Sequence, residues 1–184
     1  GGMEIIPASD NGFYIGANVY SNDYDIQNLR GMSDFWFAKI DSVGNIEHST
    51  CVGGLEAELI SSLKRMSDGN FLIGGIKVFG TFGWADIYIA KIDSFGNIIW
   101  EQDIGGKDDD RCNFISTLDD HNFLITGFTK STNSVFGGQH GMKDLFLMKL
   151  NESPTSVEET LEHYSTRSSY FNDELHLYFH TENL

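Results

Sequence analysis

The stretch DFWFAKIDSVGN spans residues 34–45, and DIYIAKIDSFGN spans residues 86–97. A looser copy, DLFLMKLNES, spans 144–153. Successive side chains of a β-strand point to opposite faces of its sheet. Trp36, Ala38 and Ile40 therefore share one face, and Phe35 and Phe37 the other. The second copy sets Tyr88, Ala90 and Ile92 against Ile87 and Ile89; the third sets Phe146, Met148 and Leu150 against Leu145 and Leu147. A sheet with one wet face would alternate apolar with polar residues. These strands do not, so both faces are expected to be covered. A buried helix is also apolar all round, but the Asp and Gly turns on either side leave too few residues for the usual ~10–12.

A second anchor recurs with the first. DNGF begins at Asp10, DGNF at Asp68 and DHNF at Asp120, spaced 58 and 52 residues apart, whereas Asp34, Asp86 and Asp144 are spaced 52 and 58. The difference lies in one connection, which runs 24, 18 and 24 residues from the turn to the third strand. Length variation confined to one connection marks a loop on the rim of an array of units. Each unit reads as four strands. LISSLKRM or CNFISTLD comes first, then a tight turn, then FYIGANVY, FLIGGIKV or FLITGFTK. After the variable loop comes the quoted strand. Gly44 and Gly96 then stand where a short hairpin loop needs positive φ, and IEHSTCV or IIWEQDI closes the unit at Gly53-Gly54 or Gly105-Gly106.

A four-stranded antiparallel sheet covered on both sides by copies of itself is a blade of a β-propeller, and a period near 50 residues suits one. The expected fold is all-β: three such blades over residues 1–152 (1–54, 55–106 and 107–152), with a tail over 153–184. Propellers close with ~4–8 blades, so three imply a longer chain, end blades that are exposed and capped, or a homodimer completing a six-bladed ring. The strand MEIIPAS following Gly1-Gly2 almost at once suggests a cut inside a longer array.

Composition narrows the partners. Twelve Lys and Arg against 27 Asp and Glu give a net charge of -15, which repels a phosphate backbone, so nucleic acid is not expected. Twenty Gly, 2 Pro and 24 aromatic residues suit short strands joined by tight turns. No apolar run approaches the ~20 residues that span a bilayer. The opening GGMEIIPASD has no basic segment followed by an apolar one, so no signal peptide is read in it. Cys51 falls on the last strand of its unit and Cys112 at the start of a first strand, too far apart in this layout for a disulfide; two free thiols are expected.

KIDSFGNIIWEQDIGGKDDDRCNFISTLDDHNFLITGFTKS, from Lys91 through Ser131, resembles the propeller-like repeats of large secreted and surface proteins of the Bacteroidetes. In that family an Asp-aromatic strand ends in Lys-Leu/Ile-Asp. A Gly turn, a Trp strand, Gly-Gly, an acidic pair and a Gly-rich second strand follow. The long loops SNDYDIQNLRG (21–31) and STNSVFGGQHG (131–141) are similar to that family's loop between second and third strands, and the resemblance covers nearly all of residues 1–151. Beyond Leu150, YFNDELHLYF (170–179) is similar to the start of a type IX secretion sorting domain, with RSSY where a Pro-Asn-Pro segment usually stands. The resemblance implies a protein that is secreted or held at the outer cell surface.

Candidate chemistry is sparse. Asp108, Asp109 and Asp110, or Asp23 and Asp25, could supply oxygens to Ca²⁺, but a solvated turn and a hydrogen-bonded loop are the favoured readings. His176 and His180 point the same way on a strand but ~13 Å apart, too far to share zinc. His121 and His140 read as loop residues without a triad partner nearby. Lys39, Lys91 and Lys149 recur at one position and read as charges at a strand exit whose stems cover apolar surface, rather than as a ring of ligands. Trp84 and Phe82, with Phe79, fall in the shortest rim loop, where an exposed aromatic stacks on a sugar or a peptide, or plugs the loop. The first strands carry few acid-base groups. The expectation is therefore a non-enzymatic binding or scaffold module that presents rim loops to protein or glycan, without a cofactor or metal. A polysaccharide-acting hydrolase or lyase on a propeller scaffold, and a plain spacer, are the alternatives.

Overall fold

The structure is a computed structural model that describes residues 3–132, 143–152, 163–171 and 174–182. Among these residues it is all-β, with no helix. The first sheet runs in the order β1 (Met3–Pro7), β2 (Phe13–Val19), β3 (Asp34–Ile40), β4 (Ile46–Val52), and every pair is antiparallel. The second repeats that order with β5 (Ala57–Arg65), β6 (Phe71–Val78), β7 (Ala85–Ile92) and β8 (Ile98–Ile104). The third is built on β9 (Asp110–Thr117), β10 (Asn122–Thr129) and β11 (Asp144–Asn151). Where a fourth strand would lie, the antiparallel hairpin of β12 (His163–Phe171) and β13 (Glu174–Glu182) joins the edge of β11. The tail thus extends the third sheet.

Turn chemistry fixes these hairpins. Asp41 accepts hydrogen bonds from the N–H groups of Val43 and Asn45 and from the Asn45 side chain. Asp93 does the same with Phe95 and Asn97. Gly44 and Gly96 take the positive φ between them. Asn11 and Gly69 both take positive φ in the other turn, as a short polar residue or glycine can. In the third unit the turn aspartate is Asp119, bonded to the N–H groups of His121 and Asn122. Asp120 instead reaches back to Ser67 of the second unit.

The sheets pack face on face. One core cluster joins Phe35, Phe37 and Val52 of the first sheet to Leu63, Phe71, Ile73 and Tyr88 of the second. Another joins Leu72, Ile87 and Ile89 of the second to Ile115, Phe123 and Ile125 of the third. Side chains of this size contribute roughly 1.5–3 kcal/mol each on burial, so these two interfaces dominate the fold. The middle sheet is covered on both faces; β7 is buried from end to end. Each outer sheet packs on another sheet through one face only. On the outward face of the first sheet Val19, Ala38 and Cys51 are nonetheless buried, and Ser49 beside them donates to the Asp25 carbonyl of the 20–33 loop. Leu145 and Ile5 face away from the core and are exposed, which corrects the expectation of two covered faces for every unit.

Glycine sets how closely the sheets approach. Gly16 lies under the Phe35 ring and 3.1 Å, measured from the place a Cβ would occupy, from Leu63 Cδ2 of the second sheet. At Gly74 that place is already taken by the end of the Ile115 side chain of the third sheet, with Cys112 Sγ 3.1 Å away. Bulges at Ile60–Ser62 and at Thr126–Gly127 break the ladders of β5 and β9. Backbone groups around them bond to the neighbouring sheet. Asn18 exchanges hydrogen bonds of 2.9 and 2.8 Å with the backbone of Ile60, Glu4 accepts from Leu63 N at 2.7 Å, and Ser61 Oγ donates to Cys112 O at 2.6 Å.

Cys51 and Cys112 are free and buried, and burial pushes their thiols up to about 11 and about 12. A thiol reagent at pH 8 should therefore label neither in the native protein and both after denaturation; prompt native labelling would contradict this packing. Gly74→Ala should cost about 1–3 kcal/mol by overpacking, read as a lower urea midpoint, and Ile115→Val on the same chain should recover part of it. Independent, additive effects would mean that the two sheets do not meet there.

Candidate functional site

The junction between sheets is built from carboxylates. Asp34 opens β3 and accepts from the N–H groups of Arg30 (2.9 Å) and Gly31 (3.3 Å), closing the base of the 20–33 loop. Glu58, on the first strand of the next sheet, accepts from Gly54 N at 3.0 Å. The same pair recurs one sheet on. Asp86 accepts from Phe82 N at 2.6 Å, and Asp110 accepts from Gly106 N at 2.6 Å as well as from Thr129 and Ser131 hydroxyls. All four carboxylates are buried. Asp110 is thus enclosed within the run that reads in sequence as a solvated turn. Its neighbour Asp109 pairs with Arg111 and Lys130, and Asp108 is exposed.

Charge is crowded at the second junction. Burial pushes the Asp86 carboxyl above the ordinary carboxylate range; Asp103 and Asp110 push it further, against the hydrogen bonds from Phe82 and Gly83. Burial likewise raises Glu58, and Asp34 adds to it. Among the described residues Asp86 Oδ1 has no hydrogen-bond partner, and it is sealed from solvent. It packs against the Cα of Gly105, where a Cβ would also stand 3.2 Å from Asp110 Oδ2. Only glycine fits between the two acids.

These anchors shape the 79–84 loop. Phe79 takes φ 58°, a strained value for an aromatic residue, and is held by a 2.8 Å bond from its N–H to Trp84 O. Gly80 is pressed against Asp86, and Gly83 against the backbone of Gly106–Asp108. Thr81 Oγ1 donates to Asp103 Oδ2 at 2.7 Å, and Lys77 holds that same oxygen at 3.2 Å. The ties to Asp86 and Asp103 point inward. The rings of Phe79, Phe82 and Trp84 are left outside: Trp84 is 67% exposed, and its ring packs on Phe79 with centroids 5.2 Å apart. Trp84 and Phe82 therefore lie on the surface.

The longer 20–33 loop exposes Tyr20 and Tyr24, the latter at φ 51°. Asp23 accepts from Ser21 Oγ, and the Asp25 carbonyl from Ser49 Oγ. Lys39 and Lys91 are buried ion-pair centres: Lys39 bonds Asp10 at 2.8 Å and Glu47 at 3.1 Å, and Lys91 bonds Asp68 at 3.1 Å and Glu152 at 3.0 Å. Trp100 Nε1 donates to Glu152 at 2.7 Å. Lys149 is half-buried. His121 stands 3.8 Å from Glu152. His140 and most of the 131–141 loop lie outside the described residues; His176 and His180 fall on β13. Among the described residues no group of three or more His, Cys, Asp or Glu is placed to hold a metal ion, and no helix is long and apolar enough to cross a membrane.

The sequence singled out the three aromatics but not Asp86, Asp103 and Thr81 that brace them. Only the recurrence of Asp at the start of each third strand signalled the first of these. Comparison with protein-family models and with curated proteins finds no match for the chain.

Asp86→Asn keeps an acceptor for Phe82 N and ends the repulsion from Asp110. Because the folded-state value of Asp86 is raised, its ionisation erodes stability as pH climbs from the ordinary aspartate range through that raised value. The variant should therefore gain stability at pH 7, because a neutral amide is not repelled by Asp103 and Asp110. The gain should shrink as pH falls into the ordinary range. Thermal melts at pH 7 and pH 4 read both; a pH-independent difference would count against this account.

Proposed function

We propose that this chain is a segment of a β-propeller-type array, a non-enzymatic binding or scaffold module of a secreted or surface-held protein. Its ligand, a protein or a glycan, docks on the rim loop 79–84. The observation carrying the proposal is the loop's construction: three aromatic rings exposed on a backbone braced by Asp86, Asp103 and Gly83. A rigid aromatic surface loses little entropy when a flat apolar partner stacks on it. Supporting the non-enzymatic reading, the buried acids of the junctions are engaged with backbone N–H groups and sealed from solvent, where no substrate reaches them. The propeller-type arrangement draws support from three antiparallel sheets in sequence order, stacked face to face. The likeness of residues 91–131 to Bacteroidetes surface repeats supports the cellular location. Net charge of -15 directs the module to neutral or basic ligands.

A glycan array probed with the parent protein and with Trp84→Ala tests the binding surface. Parent binding to one class of neutral glycan, weakened about tenfold or more in the variant (~1.4 kcal/mol for the lost ring), is the expected result. Equal binding by both proteins would remove Trp84 from the site, and no binding by the parent would exclude a sugar ligand.

A further inference from the structure

We infer that the outward face of the first sheet is a docking surface for another four-stranded sheet of this pattern, one carrying glycine at the centre of its second strand. The inference rests on the array reading above but not on the rim loop. The argument is a comparison of corresponding positions. At each internal junction one large side chain from the first strand of the later sheet enters a glycine gap in the earlier one. Leu63 enters at Gly16, and Ile115 at Gly74. Leu63 is 1% exposed and Ile115 fully buried. Their counterpart in the first sheet is Ile5, which lies opposite Ile15 as Leu63 lies opposite Ile73 and Ile115 opposite Ile125. Ile5 is 55% exposed.

The rest of that face matches the covered ones. Phe13 stands where Phe71 and Phe123 are fully buried, Ile15 where Ile73 and Ile125 are, and Ala38 where Ala90 is. Phe13 is exposed and Ile15 half-buried, whereas Ala38, with Val19 and Cys51 farther along the same face, is already buried. Around Ile5, Phe13 and Ile15 the first sheet therefore offers the same apolar surface and the same protruding residue that the fold uses twice already, without the gap to receive it.

The third sheet does not supply that gap. Its outward face carries Leu145 and Leu147 where Phe35 and Phe37, or Ile87 and Ile89, are buried by a following sheet. But the position of Gly16 and Gly74 is Thr126, whose hydroxyl donates to Phe146 O at 2.9 Å. Phe114 stands beside it where the second sheet has Ser62. A β-branched side chain occupies the space that the incoming isoleucine needs. The two ends of the stack are thus unlike. One is ready to accept a sheet and the other is closed to a knob of this kind, so a second unaltered copy is the wrong occupant.

This predicts an engineered complementarity in the full chain. A probe carrying Thr126→Gly and Phe114→Ser reproduces the second sheet's gap, and Ile5→Asp in the same probe removes its own knob. Light scattering after size-exclusion chromatography at micromolar concentration should show the parent alone and the probe alone as monomers, and their mixture as a 1:1 complex. Adding Ile5→Asp to the parent should abolish the complex while its own melting temperature holds within a few degrees. If the triple variant does not fold, Thr126→Ala with Ile5→Asp gives a milder opening and the same readout. Self-association of the unaltered parent, absence of a 1:1 complex, or a complex indifferent to Ile5→Asp would each overturn the inference. Loss of glycan binding in Trp84→Ala leaves this result untouched, so the two readings fail separately.

Discussion

Everything in this molecule depends on the middle sheet being squeezed between its neighbours. A sheet apolar on both faces is insoluble alone; its residues are stable only when two other sheets lie against them. Leu63 and Ile115 seated at Gly16 and Gly74 set the spacing, because a side chain at either glycine would hold the layers apart. Hydrophobic burial supplies the adhesion, but it is not directional. Register between layers comes instead from polar groups that meet the ladder breaks: Asn18 and Glu4 at the β5 bulge, and Ser61 at Cys112. A sliding of one layer by one residue would strand all three.

The acidic residues divide into two populations with opposite effects. Turn aspartates such as Asp41 sit at the surface with donors converging on them; the Asn45 side chain first, then its N–H, holds that carboxyl below the ordinary range. Ionisation there favours the fold. The junction acids are enclosed beside each other, and burial raises Glu58 and Asp86. Charge on those two opposes the fold even while it organises the loops. The chain tolerates this because each junction acid caps backbone N–H groups that would otherwise have no partner.

The strand pattern was readable because period-two alternation and turn chemistry are local. DSVGN and DSFGN closed the hairpins as expected, and the strands begin and end within a residue or two of the apolar runs. What a run of letters cannot report is whether a neighbour is present. Leu145 and Phe35 look alike in sequence, yet one is covered and the other is not. Asp110 was misread for a related reason. Its hydroxyl partners Thr129 and Ser131 lie about twenty residues on, brought near only by the pairing of β9 with β10. Lys39 and Lys91 do stand at the exits of β3 and β7, but their pairing with Asp10 and Asp68 was not legible, because those partners are remote in sequence. The rim aromatics were visible as residue types; their bracing was not.

The clamps at the feet of the 20–33 and 79–84 loops have an evolutionary consequence. Asp34 and Asp86 grip only the last few residues before the third strand. The exposed side chains of Tyr24 and Phe82, unlike the ties at Asp25, Thr81 and Gly83, therefore carry little of the packing between layers. Substitution and length change can accumulate there without disturbing how the layers stack. Such a lineage could exchange what it recognises while keeping one unaltered chassis.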